Sequence, residues 1–217
     1  MYFWYLNAYQ WTRYLGPLDP FEPAKDLLFT EAVNGDIQRY LDAQGKSINL
    51  RLRLKWCIEA SAALAYCHAR GVFHCDLRPD NMLLNADLDL SLCDFGGSKN
   101  DDYDGEGLPD FGFFDPRVDS FDVTADTEIF GLGSSMYTIL VGHLPHGPSI
   151  LKTAQERLDY AHTFERLALE GKFPDTSEII GGDIIKDCWN QKIRSAEEAH
   201  RRLVELDRQL ELQTDRN

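Results

Sequence analysis

The sequence predicts an α+β fold that is mainly helical, with one short β-hairpin near its middle and the remnant of a second sheet near its start. Three observations carry that expectation. Apolar residues recur at helical spacing through much of the chain from Leu54 onward. Between the first two such stretches, Met82-Leu83-Leu84 and Leu90 to Cys93 flank the polar turn Asn85 to Asp89, the pattern of a hairpin. Near the start, Tyr14-Leu15-Gly16 and Leu27 to Val33 read as two strands joined by a proline-rich turn, Pro17 to Asp26.

Taken in order, Asn34-Gly35-Asp36 reads as a turn and Ile37 to Leu41 as a short helical piece. Leu54 to Ala69 is expected to be a helix with one buried face, Leu54, Ile58, Ser61, Ala62 and Ala65, closed by Gly71. Gly97 to Gly112 is an acidic loop without periodicity. Helical spacing resumes over Asp126 to Val141 through Ile129, Leu132, Met136 and Leu140, with Gly131 and Gly133 permitting close approach by another element. Further helices are expected over Ala154 to Glu170, stopped by Gly171, and over Ile184 to Trp189. Ser195-Ala196-Glu197-Glu198 has the form of a capping box that opens a last helix through Ala199, Leu203, Leu206 and Leu210. No internal repeat interrupts this order, so one continuous fold is expected.

Bulk properties narrow the function. A chain of 217 residues, 43% hydrophobic and 12% aromatic, has the material for one sizeable core. No apolar run approaches the roughly 20 residues of a membrane span, so no membrane partner is expected. The net charge of −14 disfavours nucleic acid and anionic lipid, which both reward basic patches. Five cysteines, Cys57, Cys67, Cys75, Cys93 and Cys188, are odd in number and form no Cys-x-x-Cys pair; they read as reduced thiols of a cytoplasmic or nuclear protein. Met1 to Trp11 is aromatic but lacks the basic and continuous apolar regions of a secretory signal. His143 and His146 lack the further ligands that a zinc site needs, and read as part of a turn.

The densest chemistry lies at His74-Cys75-Asp76-Leu77-Arg78-Pro79-Asp80-Asn81, followed across the hairpin by Asp94-Phe95-Gly96. Any one of these triplets alone is more often a turn or a helix cap. Here the order, the spacing and the intervening hairpin agree, and the set resembles the catalytic machinery of the eukaryotic protein kinase family. The resemblance runs from Leu27 to about Leu212, over the family's large C-terminal lobe, and is closed by Asp187-Cys188-Trp189 and Arg194.

This resemblance implies transfer of the ATP γ-phosphate to a protein hydroxyl, serine or threonine before tyrosine, with Mg2+. Asp76 would accept the hydroxyl proton, Arg78 would touch the transferred phosphate, and Asn81 and Asp94 would hold the metal. On the nucleotide side, Thr30 would be the gatekeeper, Glu31 and Val33 would bond the adenine edge, Asp36 would lie near the ribose, and Leu83 and Cys93 would line the adenine pocket. Asp126 would anchor the catalytic-loop backbone. Residues 1–33 would be the remnant of the small lobe with the hinge, and 34–217 the large lobe; partners would be a protein substrate or another binding protein.

Several departures shape the expectation. No Gly-x-Gly-x-x-Gly precedes the hinge, and Lys25 is the only lysine there, so weak or no turnover is expected from these residues alone. Cys75 stands where many kinases carry an arginine for a phosphorylated loop. Asp115-Pro116-Arg117 replaces Ala-Pro-Glu, which would set Arg117 against Arg194 unless Asp115 or Asp119 intervened. Two other readings remain open: a pseudokinase that binds nucleotide or protein, and a small-molecule kinase of the aminoglycoside phosphotransferase type.

Overall fold

The structure, a computed structural model, describes residues 30–105, 107, 109–118 and 123–214. The candidate strands at Tyr14 to Gly16 and Leu27 to Phe29 lie outside these residues. Six helices and one two-stranded antiparallel sheet are formed by the described residues. The α+β, mainly helical expectation is met.

Local chemistry explains where each helix starts and stops. The Asp36 carboxylate accepts from the Arg39 N–H at the head of α1, Ile37–Gln44, and Asn49 does the same for Leu52 before α2, Leu50–His68. Reciprocal side-chain caps open α3, Ala125–Val141, at Thr124 and Thr127, and α4, Ala154–Leu169, at Thr153 and Glu156. The fifth helix, α5, covers Gly182–Trp189 and α6 covers Ala196–Thr214. At the head of α6, the Ser195 hydroxyl oxygen accepts from the Glu198 N–H at 3.1 Å. Gly142 ends α3 at φ 90°, a conformation that strains any residue with a Cβ.

Packing corrects one detail of the periodicity. A single buried face on α2 is not what the fold presents: Arg53, Leu54, Trp56, Cys57, Ala60, Ser61, Ala63, Leu64 and Cys67 are all buried, whereas Ile58, Ala62 and Ala65 are only partly so. The reason is that α2 is the central rod, packed against α3, α6 and the hairpin together. Buried Arg53 donates to the carbonyls of Ile139, near the end of α3, and of Gly45, just after α1, filling both acceptors with a cation rather than leaving them orphaned. Around α2 the core is completed by Phe130, Phe164 and Trp189.

Helix α3 runs through the middle of the core. Its Gly131 lies so close to the segment before Asp115 that an added Cβ would come within 2.6 Å of the Phe113 carbonyl oxygen. Replacing Gly131 by alanine is therefore expected to cost about 1–3 kcal/mol through overpacking, measured as a lower urea midpoint at unchanged slope. Among the described residues no helix is long and apolar enough to cross a membrane.

The hairpin forms as expected, β1, Met82–Leu84, pairing with β2, Leu90–Leu92, in the register Met82 with Leu92, Leu83 with Ser91 and Leu84 with Leu90. Strand alternation buries Met82, Leu84, Leu90 and Leu92 in the core and sends Leu83 and Ser91 to the other face. The turn before α1 is shifted from Asn34-Gly35-Asp36: the Gly35 N–H donates to Ala32 O, while Asp36 bridges to Leu83. Gly35 and Asn34 thereby attach the entering chain to β1, and Thr30 to Val33 form no strand.

Candidate active site

The loop from His74 to Asn81 is held from three directions. Its first anchor is His74, fully buried, whose Nδ1 accepts from the Asp76 N–H at 3.3 Å. That leaves the hydrogen on Nε2, which donates to the Cys93 carbonyl at 2.7 Å and ties the loop to the residue before Asp94. The Phe95 ring packs on the same imidazole at 4.7 Å between centroids.

The second anchor overturns an assignment. Asp126 is only partly buried at the head of α3 and pairs with Arg194 at 2.7 Å. Glu128, 5% exposed, takes the anchoring place: its Oε1 accepts from the Cys75 N–H at 2.7 Å and its Oε2 lies 2.7 Å from His68 Nε2. Cys75 itself has φ 68°, a strained conformation for a residue with a Cβ, and the Glu128 bond is what holds its N–H inward. The missed signal was spacing, since Glu128 lies one turn before Leu132 on the apolar stripe.

At the centre, Asn81 Nδ2 donates to both the carbonyl oxygen and Oδ2 of Asp76, at 2.9 and 2.8 Å. Arg78 lies with Nε 3.3 Å from the same Oδ2 and Nη1 2.6 Å from Asp110 Oδ2. The remaining carboxylate oxygen, Asp76 Oδ1, is buried without a hydrogen-bond partner. A buried acceptor left in this way carries a desolvation cost that an incoming O–H would relieve.

Asn81 and Asp94 meet at the open end of the hairpin, where the Cys93 N–H donates to Asn81 O at 3.0 Å. The Asn81 amide nitrogen is spent on Asp76, and among the described residues its Oδ1 has no hydrogen-bond partner. The exposed Asp94 carboxylate forms no ion pair among the described residues, and its φ of 60° is one that a short polar side chain tolerates. Two hard oxygen ligands fit Mg2+, which usually takes a few protein oxygens and completes its shell with phosphate and water. No group of three or more His, Cys, Asp or Glu ligands is present among the described residues.

The nucleotide-side candidates divide in two. Asp36, Leu83 and Cys93 are brought together: Asp36 bridges to Leu83, and the Cys93 thiol is pushed up to about 11 by burial and by the neighbouring charges of Asp94 and Asp36. Thr30, Glu31 and Val33 are exposed, Val33 by 59%. Burial also pushes the Cys75 thiol up to about 12, which suits an inert packing residue. The expected clash of Arg117 with Arg194 does not occur. Fully buried Asp115 pairs with Arg117 through both oxygens at 2.7 Å, and Arg117 also donates to the Trp189 carbonyl, while Arg194 has gone to Asp126.

A buried histidine, an inward-held strained loop and a base-like carboxylate bonded to an asparagine thus face a hairpin that ends in an aspartate. The protein kinase domain pattern matches residues 18–202, and the chain belongs to the protein kinase family. Among curated proteins it is similar to a probable serine/threonine-protein kinase, CCRP1 of Zea mays, with 30% identity over 126 residues, which is 55% of this chain and 19% of that protein. It is 33% identical over 104 residues to CBL-interacting serine/threonine-protein kinase 26 of Arabidopsis thaliana, covering 44% of this chain and 24% of that one. Over 46 residues, 21% of this chain and 10% of the relative, it is 44% identical to serine/threonine-protein kinase VHS1 of Saccharomyces cerevisiae. The chain therefore spans at most about a quarter of the length of these relatives.

Proposed function

We propose that the His74 to Asn81 loop and Asp94 support transfer of the ATP γ-phosphate to a serine or threonine hydroxyl of a protein. The observation that carries this reading is the buried, unpartnered Asp76 Oδ1 beside an Oδ2 already held by Asn81. In the step proposed, Asp76 Oδ1 accepts the proton of the substrate hydroxyl as its oxygen bonds to the γ-phosphorus. The bond from that phosphorus to the β-phosphate bridging oxygen breaks, and ADP leaves. Arg78 would neutralise charge on the phosphoryl oxygens, and Asn81 Oδ1 and Asp94 would hold Mg2+. When bound, Mg2+ supplies positive charge to the phosphates. Leu83 and Cys93 would line the base pocket with Asp36 toward the ribose, and Thr30, Glu31 and Val33 would supply its hinge side. A cytoplasmic or nuclear location suits the five unpaired thiols.

The names of the three relatives favour serine/threonine over tyrosine as the acceptor. Incubating the full chain with Mg2+, radiolabelled ATP and mixed peptides should label serine or threonine; label on tyrosine alone would reverse the acceptor assignment. Asp94→Asn is expected to weaken Mg2+-dependent ATP binding about tenfold or more while leaving the fold intact, because one of two oxygen ligands loses its charge. Isothermal titration with and without Mg2+ checks this. Binding of Mg2+ and ATP without transfer would favour the pseudokinase reading instead.

A further inference from the structure

Arg78 is the cation that the proposed transfer needs at the phosphate, yet it is already taken. Three carboxylates surround it: Asp110 at 2.6 Å, Asp76 at 3.3 Å and Asp80 at 4.0 Å. Asp76 and Asp80 belong to the same loop as Arg78. Asp110 comes from the segment after Asp94, 32 positions from Arg78, and among the described residues it alone makes a hydrogen bond to the guanidinium.

The Asp110 carboxylate is presented to Arg78 by its own segment. Its Oδ1 accepts from the Phe111 N–H at 2.9 Å, and its carbonyl accepts from the Phe113 N–H at 3.1 Å. Together with Arg78 and Asp80, Asp110 lines a cavity of about 190 Å³ between α1 and α4 that also carries Arg39, Asp42 and Arg157. One guanidinium among three carboxylates leaves local negative charge, reinforced by Asp36 and Asp42 nearby, even with Arg39 paired to Asp36 at 3.3 Å. A further anion at Arg78 therefore meets the repulsion of these carboxylates, that of Asp110 at 2.6 Å most directly.

We infer that Asp110 acts as a phosphate mimic at Arg78, and that a nucleoside triphosphate binds by displacing the Asp110 carboxylate with its terminal phosphate. Asp110 is the one that yields, because Asp76 is pinned by Asn81, Asp80 at 4.0 Å is not hydrogen-bonded to the guanidinium, and Asp110 comes from a different segment. Arg157, in the wall of the same cavity, forms no ion pair among the described residues and leaves the released carboxylate a cation in its surroundings. Asp110 thereby sets how strongly the site separates triphosphate from diphosphate.

The inference rests on the phosphotransfer reading of the site, and the two fail differently. The full chain, as wild type, Asp110→Asn, Asp110→Ala, Arg78→Ala and the Arg78→Ala/Asp110→Asn double variant, is titrated with Mg2+ plus ADP or the non-hydrolysable adenylyl imidodiphosphate. Asparagine keeps the acceptor for the Phe111 N–H, and a thermal melt checks that both Asp110 variants fold. Removing the Asp110 charge should tighten triphosphate binding about fivefold, the size of a half-exposed ion pair, with ADP changed by less than about twofold. In the Arg78→Ala background, Asp110→Asn should change nothing. Weaker or unchanged triphosphate binding in both Asp110 variants, or a gain that persists without Arg78, overturns the inference alone. A wild-type chain that binds neither nucleotide overturns the inference and the phosphotransfer reading together.

Discussion

Replacing Glu128 by alanine is expected to destabilise the protein by about 2–5 kcal/mol, because two enclosed donors lose their acceptor at about 1–3 kcal/mol each. Two groups lose their partner at once: the Cys75 N–H, held at 2.7 Å, and His68 Nε2, also at 2.7 Å. His68 is nearly enclosed, with 12% of its side chain exposed, so water cannot replace the carboxylate at little cost. The strained φ of 68° at Cys75 loses the bond that stabilises it, and the loop that carries Asp76 should loosen with it. Asp126→Ala serves as the contrast. Its ion pair with Arg194 is 41% and 64% exposed on the two sides and should contribute about 0–1 kcal/mol. Urea denaturation of both variants checks the pair of values, and equal losses would return the anchoring role to neither residue.

That contrast shows what the sequence makes legible and what it hides. Helix ends were readable because their determinants are local: Ser195 with Glu198, and the glycines at 71 and 171, act within one turn of the backbone they begin or terminate. The hairpin was readable for the same reason, with Asn85 Oδ1 accepting from the N–H groups of Asp87 and Asp89 to close its turn. Burial of charge was not readable. Arg53 and Glu128 belong to residue types that are rarely enclosed, and only the approach of distant segments explains them. In the site, His74, Asp76, Asn81 and Asp94 lie close in sequence and meet through the hairpin. The Arg78 contact with Asp110 comes from an acidic stretch without periodicity, where no pattern indicates which of many carboxylates is the partner.

Asp76→Asn is expected to reduce phosphate transfer by about 10²–10⁴, the usual contribution of a positioned general base. The substitution changes few other interactions. Asparagine keeps an oxygen for the Asn81 amide and keeps the backbone N–H that donates to His74, so the loop should retain its shape. Binding of Mg2+ and ATP should stay within about threefold of wild type, because the proposed metal ligands are Asn81 and Asp94 and the base acts on the acceptor hydroxyl. A variant that loses nucleotide binding and transfer equally would instead place Asp76 among the groups that hold the nucleotide.

The most direct measurement is transfer of radiolabelled phosphate from Mg2+ and ATP to a serine or threonine peptide, made on the full chain and its Asp76→Asn variant with nucleotide affinity recorded in parallel. Weak transfer by the wild type that falls at least a hundredfold in the variant at nearly constant affinity is the predicted result. Equal transfer by the two proteins would contradict the assignment of Asp76 as the base on which this site is built.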